Sequence, residues 1–200
     1  MAKQTKSKVV EKSTTPDLTS ILERLELLER EKDTIEEVEV GIMLEEGVEL
    51  PHYQKHWDAG MDICVNADKL SDLKDLQEYQ GVFDSMDGKG FILAQHCRVL
   101  IPTGIRLDIP IGYEIQIRGR SGKGAKQGLI PSMALGTIDS GYRNEVFIAL
   151  TNTSNEFQFI KWGERIAQMV LSKKPVMKLK VVGKLSETER GLGGFGSTDK

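Results

Sequence analysis

The chain has no run of about 18 apolar residues, so nothing in it reads as a membrane-spanning helix. Cysteine is nearly absent. Cys64 and Cys97 are the only thiols, and without a secretory leader two thiols favour free or buried sulfur over a disulfide. The basic start Met1-Ala-Lys-Gln-Thr-Lys-Ser-Lys8 has no apolar stretch behind it and does not read as a signal peptide. A cytoplasmic location is therefore expected. Charge of neither sign dominates: 27 Lys and Arg stand against 30 Asp and Glu, a net charge of -3. That balance gives no basic face for a nucleic acid. Aromatics are few at 6%, but 39% apolar residues suffice for a core. Two hundred residues make one domain, or one domain with an appendage.

What is present changes character along the chain. Residues 1–14 are polar, with the composition of a disordered segment. Thr15-Pro16-Asp17 then opens a helix, with a capping residue, a proline in the first turn and an early acid. Leu18, Ile21, Leu25 and Leu28 recur at spacings of three and four, with Leu22 beside them, and predict an amphipathic helix ending near Lys32. Its seam covers only about two heptads, too short to be stable alone. Packing on its own domain is preferred to a small self-association helix. From Glu36 the apolar period becomes two, through Val38, Val40, Ile42 and Leu44. Short runs broken by Gly, Pro and Asn follow, among them Tyr113-Glu-Ile-Gln-Ile-Arg118, Glu145-Val-Phe-Ile-Ala-Leu150 and Val176-Met-Lys-Leu-Lys-Val-Val182. Such spacing predicts an all-β sandwich, jelly roll or barrel. Arg165-Ile-Ala-Gln-Met-Val-Leu171 is expected to be a strand with a bulge or bend, since Ile166 and Met169 would otherwise face opposite ways. Residues 66–90 are more polar, and one short helix is expected between Asp68 and Tyr79 with Leu70, Leu73 and Leu76 inward. Residues 1–36, 37–185 and 186–200 thus read as a polar start with its helix, a β domain with an insert at about 66–90, and a Gly-rich tail.

Five stretches carry residues suited to chemistry. In Asp58-Ala-Gly-Met-Asp62, Gly60 permits a turn or a close approach that Asp62 would cap, and a structural job is expected. Arg118-Gly-Arg-Ser-Gly-Lys-Gly124 gathers small residues whose N–H groups, with Arg120 and Ser121, suit an anion such as a phosphate. Its spacing is that of neither a P-loop nor a nucleophile elbow. Gly136-Thr-Ile-Asp-Ser-Gly-Tyr-Arg-Asn-Glu-Val146 reads as a hairpin with Asp139 and Tyr142 beside its turn. A carboxylate fixed there can hold and deprotonate a water. Trp162-Gly-Glu-Arg-Ile-Ala-Gln168 offers Gln168 as a phosphate donor or a backbone partner. In the tail, Arg190, Ser197 and Thr198 suit a polyphosphate, the glycines allow close wrapping, and Phe195 suits a base. His52 and His56 have a zinc spacing only if helical, which Pro51 opposes. His96 is expected to be structural.

In combination and order, these stretches resemble the five motifs of the trimeric dUTPases. They are Ala59-Gly-Met-Asp-Ile63, Arg120-Ser-Gly122, Gly136-Thr-Ile-Asp-Ser-Gly-Tyr-Arg143, Gly163-Glu-Arg-Ile-Ala-Gln168 and Arg190-Gly-Leu-Gly-Gly-Phe-Gly-Ser-Thr198, with Ile101-Pro-Thr-Gly-Ile105 as a fitting lead-in. The resemblance runs from Val38 to Thr198. It implies a distorted β jelly roll of the β-clip type, here with an extra N-terminal helix, assembled as a homotrimer with shared sites. It implies hydrolysis of dUTP to dUMP and diphosphate with Mg²⁺. Asp139 would activate the attacking water, and Tyr142 would pack under the deoxyribose. Backbone around Gly136 would read the uracil edge. Arg120, Ser121, Gly122 and Gln168 would hold phosphates. Arg190, Ser197 and Thr198, with Gly196, would close over the γ-phosphate while Phe195 covers the base. Mg²⁺ would ride on the triphosphate with no direct protein ligand, and Asp62 would act at most through water. Cellular roles follow: limiting uracil in DNA and supplying dUMP for thymidylate synthesis.

Four positions depart from the family pattern. Gly119 stands for a usual Pro, Gly141 for a frequent Asp, Asn144 for a common Gly, and Met133 for an Asn that touches uracil. The insert and the N-terminal helix have no family role to inherit and are candidates for a protein partner. Two other readings use the same scaffold. A dCTP deaminase carries Glu at the Asp139 position, and a nucleotide-sensing regulator would bind without turnover.

Overall fold

The computed structural model describes residues 17–32, 36–73, 81–133 and 135–192, with backbone alone for 28–32. Helix α1 (Leu18–Lys32) forms the N-terminal unit. Asp17 caps it: its carboxylate accepts the Ser20 N–H at 2.7 Å. This satisfies one of the free N–H groups of the first turn. The side chains of Leu18, Ile21, Leu22 and Leu25 are exposed.

The second unit begins at Val40. Its strands in chain order are β1 (Gly41–Leu44), β2 (Met61–Cys64), β3 (Val82–Asp84), β4 (Gly90–Leu93), β5 (Arg98–Pro102), β6 (Ile105–Asp108) and β7 (Tyr113–Gly119). Then come helix α2 (Ser121–Gln127), β8 (Leu129–Pro131), β9 (Gly136–Asp139), β10 (Phe147–Asn152), β11 (Gln158–Lys161) and β12 (Arg165–Lys173). They form small antiparallel sheets in the orders β1-β6, β5-β10-β8, β11-β4-β3 and β2-β12-β7-β9. The domain is all-β, as the strand spacing predicts, and a distorted jelly roll, as the resemblance implies.

Alternation builds the core. In β10 every second side chain is buried: Ile148, Leu150 and Asn152. Phe91, Leu93, Val99, Ile101 and Ile160 close around the same centre. Each such aliphatic or aromatic side chain stabilises the fold by roughly 1.5–3 kcal/mol. Asn152 occupies an inward position because its amide Nδ2 donates to the carbonyls of Leu93, Ala94 and Glu156. Its Oδ1 accepts from Ser154. A buried polar side chain is tolerated when its bonds are made.

Four sequence expectations change. First, β9 and β10 are not a hairpin. A turn does follow Asp139, with the Tyr142 N–H donating to the Asp139 carbonyl at 3.0 Å. After it the chain leaves for another sheet, β9 pairing with β7 and β10 with β5 and β8. The diversion has a visible cause. The buried Glu145 carboxylate accepts the N–H groups of Thr103 and Gly104 at 3.1 and 2.9 Å, and the Thr103 hydroxyl donates to the Val146 carbonyl. Second, residues 176–182 form no strand, with Val176, Met177, Leu179 and Val181 exposed. Alternation there makes a strand-competent segment, and a strand needs a neighbour. Third, in the described part of the helix expected between Asp68 and Tyr79 the chain makes a 3-10 turn at Leu70–Asp72, with Leu73 buried after it. Residues 74–80, Leu76 among them, lie outside the described residues. Fourth, the Gly-rich stretch after Arg120 is helical. It ends at Gly128, whose φ of +67° makes a left-handed cap and whose N–H donates to Gly124. The expected strand at 165–171 is present, and its register shifts between Arg165 and Ala167, as a bulge requires.

Removing the Glu145 carboxylate would strand two buried N–H groups. Glu145→Ala is expected to lower unfolding stability by about 2–4 kcal/mol. Urea denaturation checks this; a loss below about 1 kcal/mol would deny Glu145 its part in holding this crossing.

Candidate active site

The sheet β2-β12-β7-β9 positions most of the chemistry. Its register sets Asp62 beside Gln168 and Gln168 beside Arg118. The bulge at the start of β12 brings Arg165 to the same carboxylate. Asp62 therefore takes Arg120 Nε on Oδ1 at 2.8 Å and Arg165 Nη1 on Oδ2 at 3.1 Å. Arg120 also donates to the Arg165 carbonyl at 3.1 Å. Gln168 donates to the Gly119 carbonyl at 3.2 Å. Gly60 lies directly on this strand: a Cβ there would stand 2.9 Å from Val170 Cγ2 and 3.0 Å from Gln168 Oε1. Only glycine fits so close an approach.

These groups line a cavity of about 710 Å³, with Ser121, Gly122, Lys123 and Lys126 on its α2 side. That volume suits a small-molecule ligand. Arg120, Lys123, Lys126 and Arg165 line it together with Asp58 and Asp62, so cations prevail. The sequence reading singled out Arg120, Ser121, Gly122 and Gln168 here; it overlooked Arg165, Lys123 and Lys126. Arg165 stands inside a quoted motif, three residues before Gln168, and was legible as a second guanidinium. Cys64 adjoins Asp62 on β2. Partial burial of its sulfur pushes the thiol pKa up, Arg165 opposing and Asp62 adding to the shift. It is not poised as a nucleophile.

Asp139 and Tyr142 are elsewhere. Asp139 ends β9 opposite Glu114, near the start of β7, whereas Arg120 follows the end of that strand. Six residues of extended chain separate the two positions, roughly 20 Å. Asp139 is exposed, with Lys174 Nζ 4.0 Å away. The Tyr142 hydroxyl donates to the Glu145 carbonyl at 2.8 Å, which fixes the ring. Gly136 is buried against Ile117 and borders a small cavity of about 50 Å³ with Met133 and Phe147. Arg190 is exposed in a turn in which Gly191 N–H donates to Thr188. Phe195, Gly196, Ser197 and Thr198 lie outside the described residues. His52 bonds the Leu50 carbonyl and Gln54, and His56 meets Trp57 edge-on, so each has its own local partner. His96 holds a turn at φ +58° and bonds Asn155.

One chain thus presents a cation-rich cavity and, at the far end of β7, a carboxylate with an aromatic ring. The dUTPase family model matches residues 77–199. A deoxyuridine 5'-triphosphate nucleotidohydrolase of Fusobacterium nucleatum is 40% identical over 166 residues, 83% of this chain and all of that one. The chain belongs to the dUTPase family. A second relative of the same name, from Desulfotalea psychrophila, is 42% identical over 157 residues, 76% of this chain and 89% of its own length. Among solved structures, a dUTPase of Staphylococcus bacteriophage 80alpha, bound to dUpNHpp, superposes with a TM-score of 0.61 at 24% identity. It covers 80% of this chain and 98% of that one. At that identity the likeness speaks for the fold of this dUTPase family member. The family model begins at residue 77, inside the 66–90 stretch, whereas the full-length match to the Fusobacterium relative takes in more of the chain.

Arg120 supplies the central donor of the cavity. Arg120→Ala is expected to weaken binding of inorganic triphosphate by roughly 10- to 100-fold, the worth of one charge-assisted bond. Titration calorimetry reads this directly, and an unchanged affinity would remove Arg120 from the anion site.

Proposed function

We propose that the chain hydrolyses dUTP to dUMP and diphosphate by attack of water on the α-phosphorus, at sites assembled between copies of itself. The observation that carries the reading is the division across β7. The cationic cavity and Asp139 belong to one reaction by motif, yet lie roughly 20 Å apart in one chain. A copy that presents its Asp139 end to a neighbour's cavity completes the site. The exposed apolar side chains of residues 176–181 are a further surface suited to a neighbouring chain. The expected assembly is a homotrimer in the cytoplasm, where dUTP removal keeps uracil out of DNA and dUMP feeds thymidylate synthesis. No described helix is long and apolar enough to cross a membrane.

Roles follow from position and chemistry. Arg120 and Arg165 are held by Asp62 with N–H groups left over, and Arg120, Ser121, Gly122 and Gln168 bind phosphate oxygens. Their donors act as charge moves onto the diphosphate leaving group. Asp139 accepts a proton from the attacking water, and its exposure in a single chain leaves it free to meet a neighbour's ligand. Tyr142, its hydroxyl tied back to Glu145, offers its ring face to the deoxyribose and leaves no room for a 2′-hydroxyl. Backbone at Gly136 reads the uracil edge. Met133, which lines the small cavity beside Gly136, adds an apolar contact in place of an amide. Arg190, Phe195, Gly196, Ser197 and Thr198 close over substrate.

Mg²⁺ fits this donor set as a passenger of the substrate. Among the described residues no three His, Cys, Asp or Glu side chains are grouped to hold a metal, and both Asp62 oxygens already carry guanidinium bonds. Bound to the triphosphate and water, the ion supplies charge neutralisation.

Asp139→Asn keeps the shape of the side chain and removes its basicity. It is expected to retain dUTP binding and lose kcat by about 100-fold or more. Steady-state assay of diphosphate release checks this; a near-normal kcat would take Asp139 out of the mechanism.

A further inference from the structure

Helix α2 is poorly equipped to hold itself together. It has seven residues, with Gly122 and Gly124 inside it. Isolated helices shorter than about 12–15 residues are marginal, and each internal glycine costs about 1 kcal/mol relative to alanine. Yet this helix starts with Ser121 and Gly122, at the wall of the phosphate cavity. Its buried residue is not apolar. It is Lys123, 8% exposed.

The Lys123 ammonium is ion-paired with Glu164 Oε1. Glu164 lies in the turn between β11 and β12 and is itself fixed. Its Oε2 accepts the Lys161 N–H at 3.0 Å, and its carbonyl accepts the Val65 N–H at 3.0 Å. The next residue is Arg165, which binds Asp62. The pair therefore joins the helix carrying Ser121 to the turn that leads into Arg165 and Gln168. If stability were the only demand, an ion pair would be an odd anchor. Desolvation cancels much of its attraction, and an apolar pair of similar volume serves as well or better. What the pair adds is a directional link between two phosphate-facing segments.

We propose that Lys123 is a positioning residue that acts through Glu164. It locks the first turn of α2 to the β11–β12 turn, so that Arg120, Ser121 and Gly122 form one rigid anion surface with Arg165 and Gln168. The inference rests on the phosphate reading of this cavity. It makes a prediction opposite in sign to charge counting. Neutralising Glu164 removes a negative charge from beside an anion site, which by Coulomb attraction alone tightens binding. Loss of positioning weakens it.

The test uses the full chain with Lys123→Met, Glu164→Gln and the double substitution. Binding of inorganic diphosphate is measured by calorimetry, dUTP turnover by steady-state kinetics, and folding by thermal unfolding. Each single variant is expected to weaken diphosphate binding by about tenfold, with the double no weaker than the singles because the two side chains act as one unit. In turnover the loss is expected in KM more than in kcat. Unchanged or tighter diphosphate binding by Glu164→Gln would overturn the proposal. So would a fall in melting temperature with diphosphate affinity and KM unchanged, which marks a purely structural anchor. Absence of dUTP turnover in the unsubstituted chain would overturn the hydrolase reading instead, and diphosphate binding would still decide the positioning role.

Discussion

Strand β7 is paired along both edges, to β12 on one side and β9 on the other, and this double pairing constrains everything about the site. Register is set residue by residue: Arg118 opposite Gln168, Glu114 opposite Asp139. A slip of one position would turn Ile115 and Ile117 out of the core. The buried isoleucines thereby fix where the polar groups stand. The ends of β7 cannot approach each other, because an extended strand does not fold back on itself. The cation-lined cavity and the acid of motif three are held apart by the same hydrogen bonds that hold the sheet together.

Around that strand the polar network is economical. One carboxylate, Asp62, orders two guanidinium groups from different elements, and its own position depends on Gly60 lying flat on β12. A second carboxylate, Glu145, sends the chain from β9 away to β10 rather than back along it. A third, Glu164, ties α2 to the turn before Arg165. None of the three is the acid assigned to water activation. Each does its work by accepting from at least two donors, and stranding those donors costs more than the bond itself contributes.

Much of this was legible in the sequence. Period-two runs gave the strands, and the offset of Ile166 from Met169 gave the bulge in β12. The ordered series from Asp62 to Arg190 gave the family. The failures have common causes. Alternation at 176–182 marks a segment able to form a strand but says nothing about whether a neighbour exists in the same chain. Two glycines in seven residues argue against a helix, and α2 forms because Lys123 ties it to Glu164 outside the helix and Gly128 caps its end. The turn at Ser140 and Gly141 looks like a hairpin locally. What diverts it is Glu145 bonding Thr103 and Gly104, a contact across about forty positions that no local pattern reveals. Phe195 through Thr198 remain assigned by motif alone.

The central claim is that each site draws Asp139 and the Arg190 tail from different chains. The most direct measurement is complementation. Asp139→Asn and a chain ending at Glu189 are each inactive by this account. Refolded together in equal amounts, they should yield dUTP hydrolysis at about a quarter of sites, those taking Asp139 from the shortened chain and the tail from the other. If every site were built within one chain, each would carry one lesion. With subunit exchange confirmed, a mixture as inactive as its parents would contradict the account.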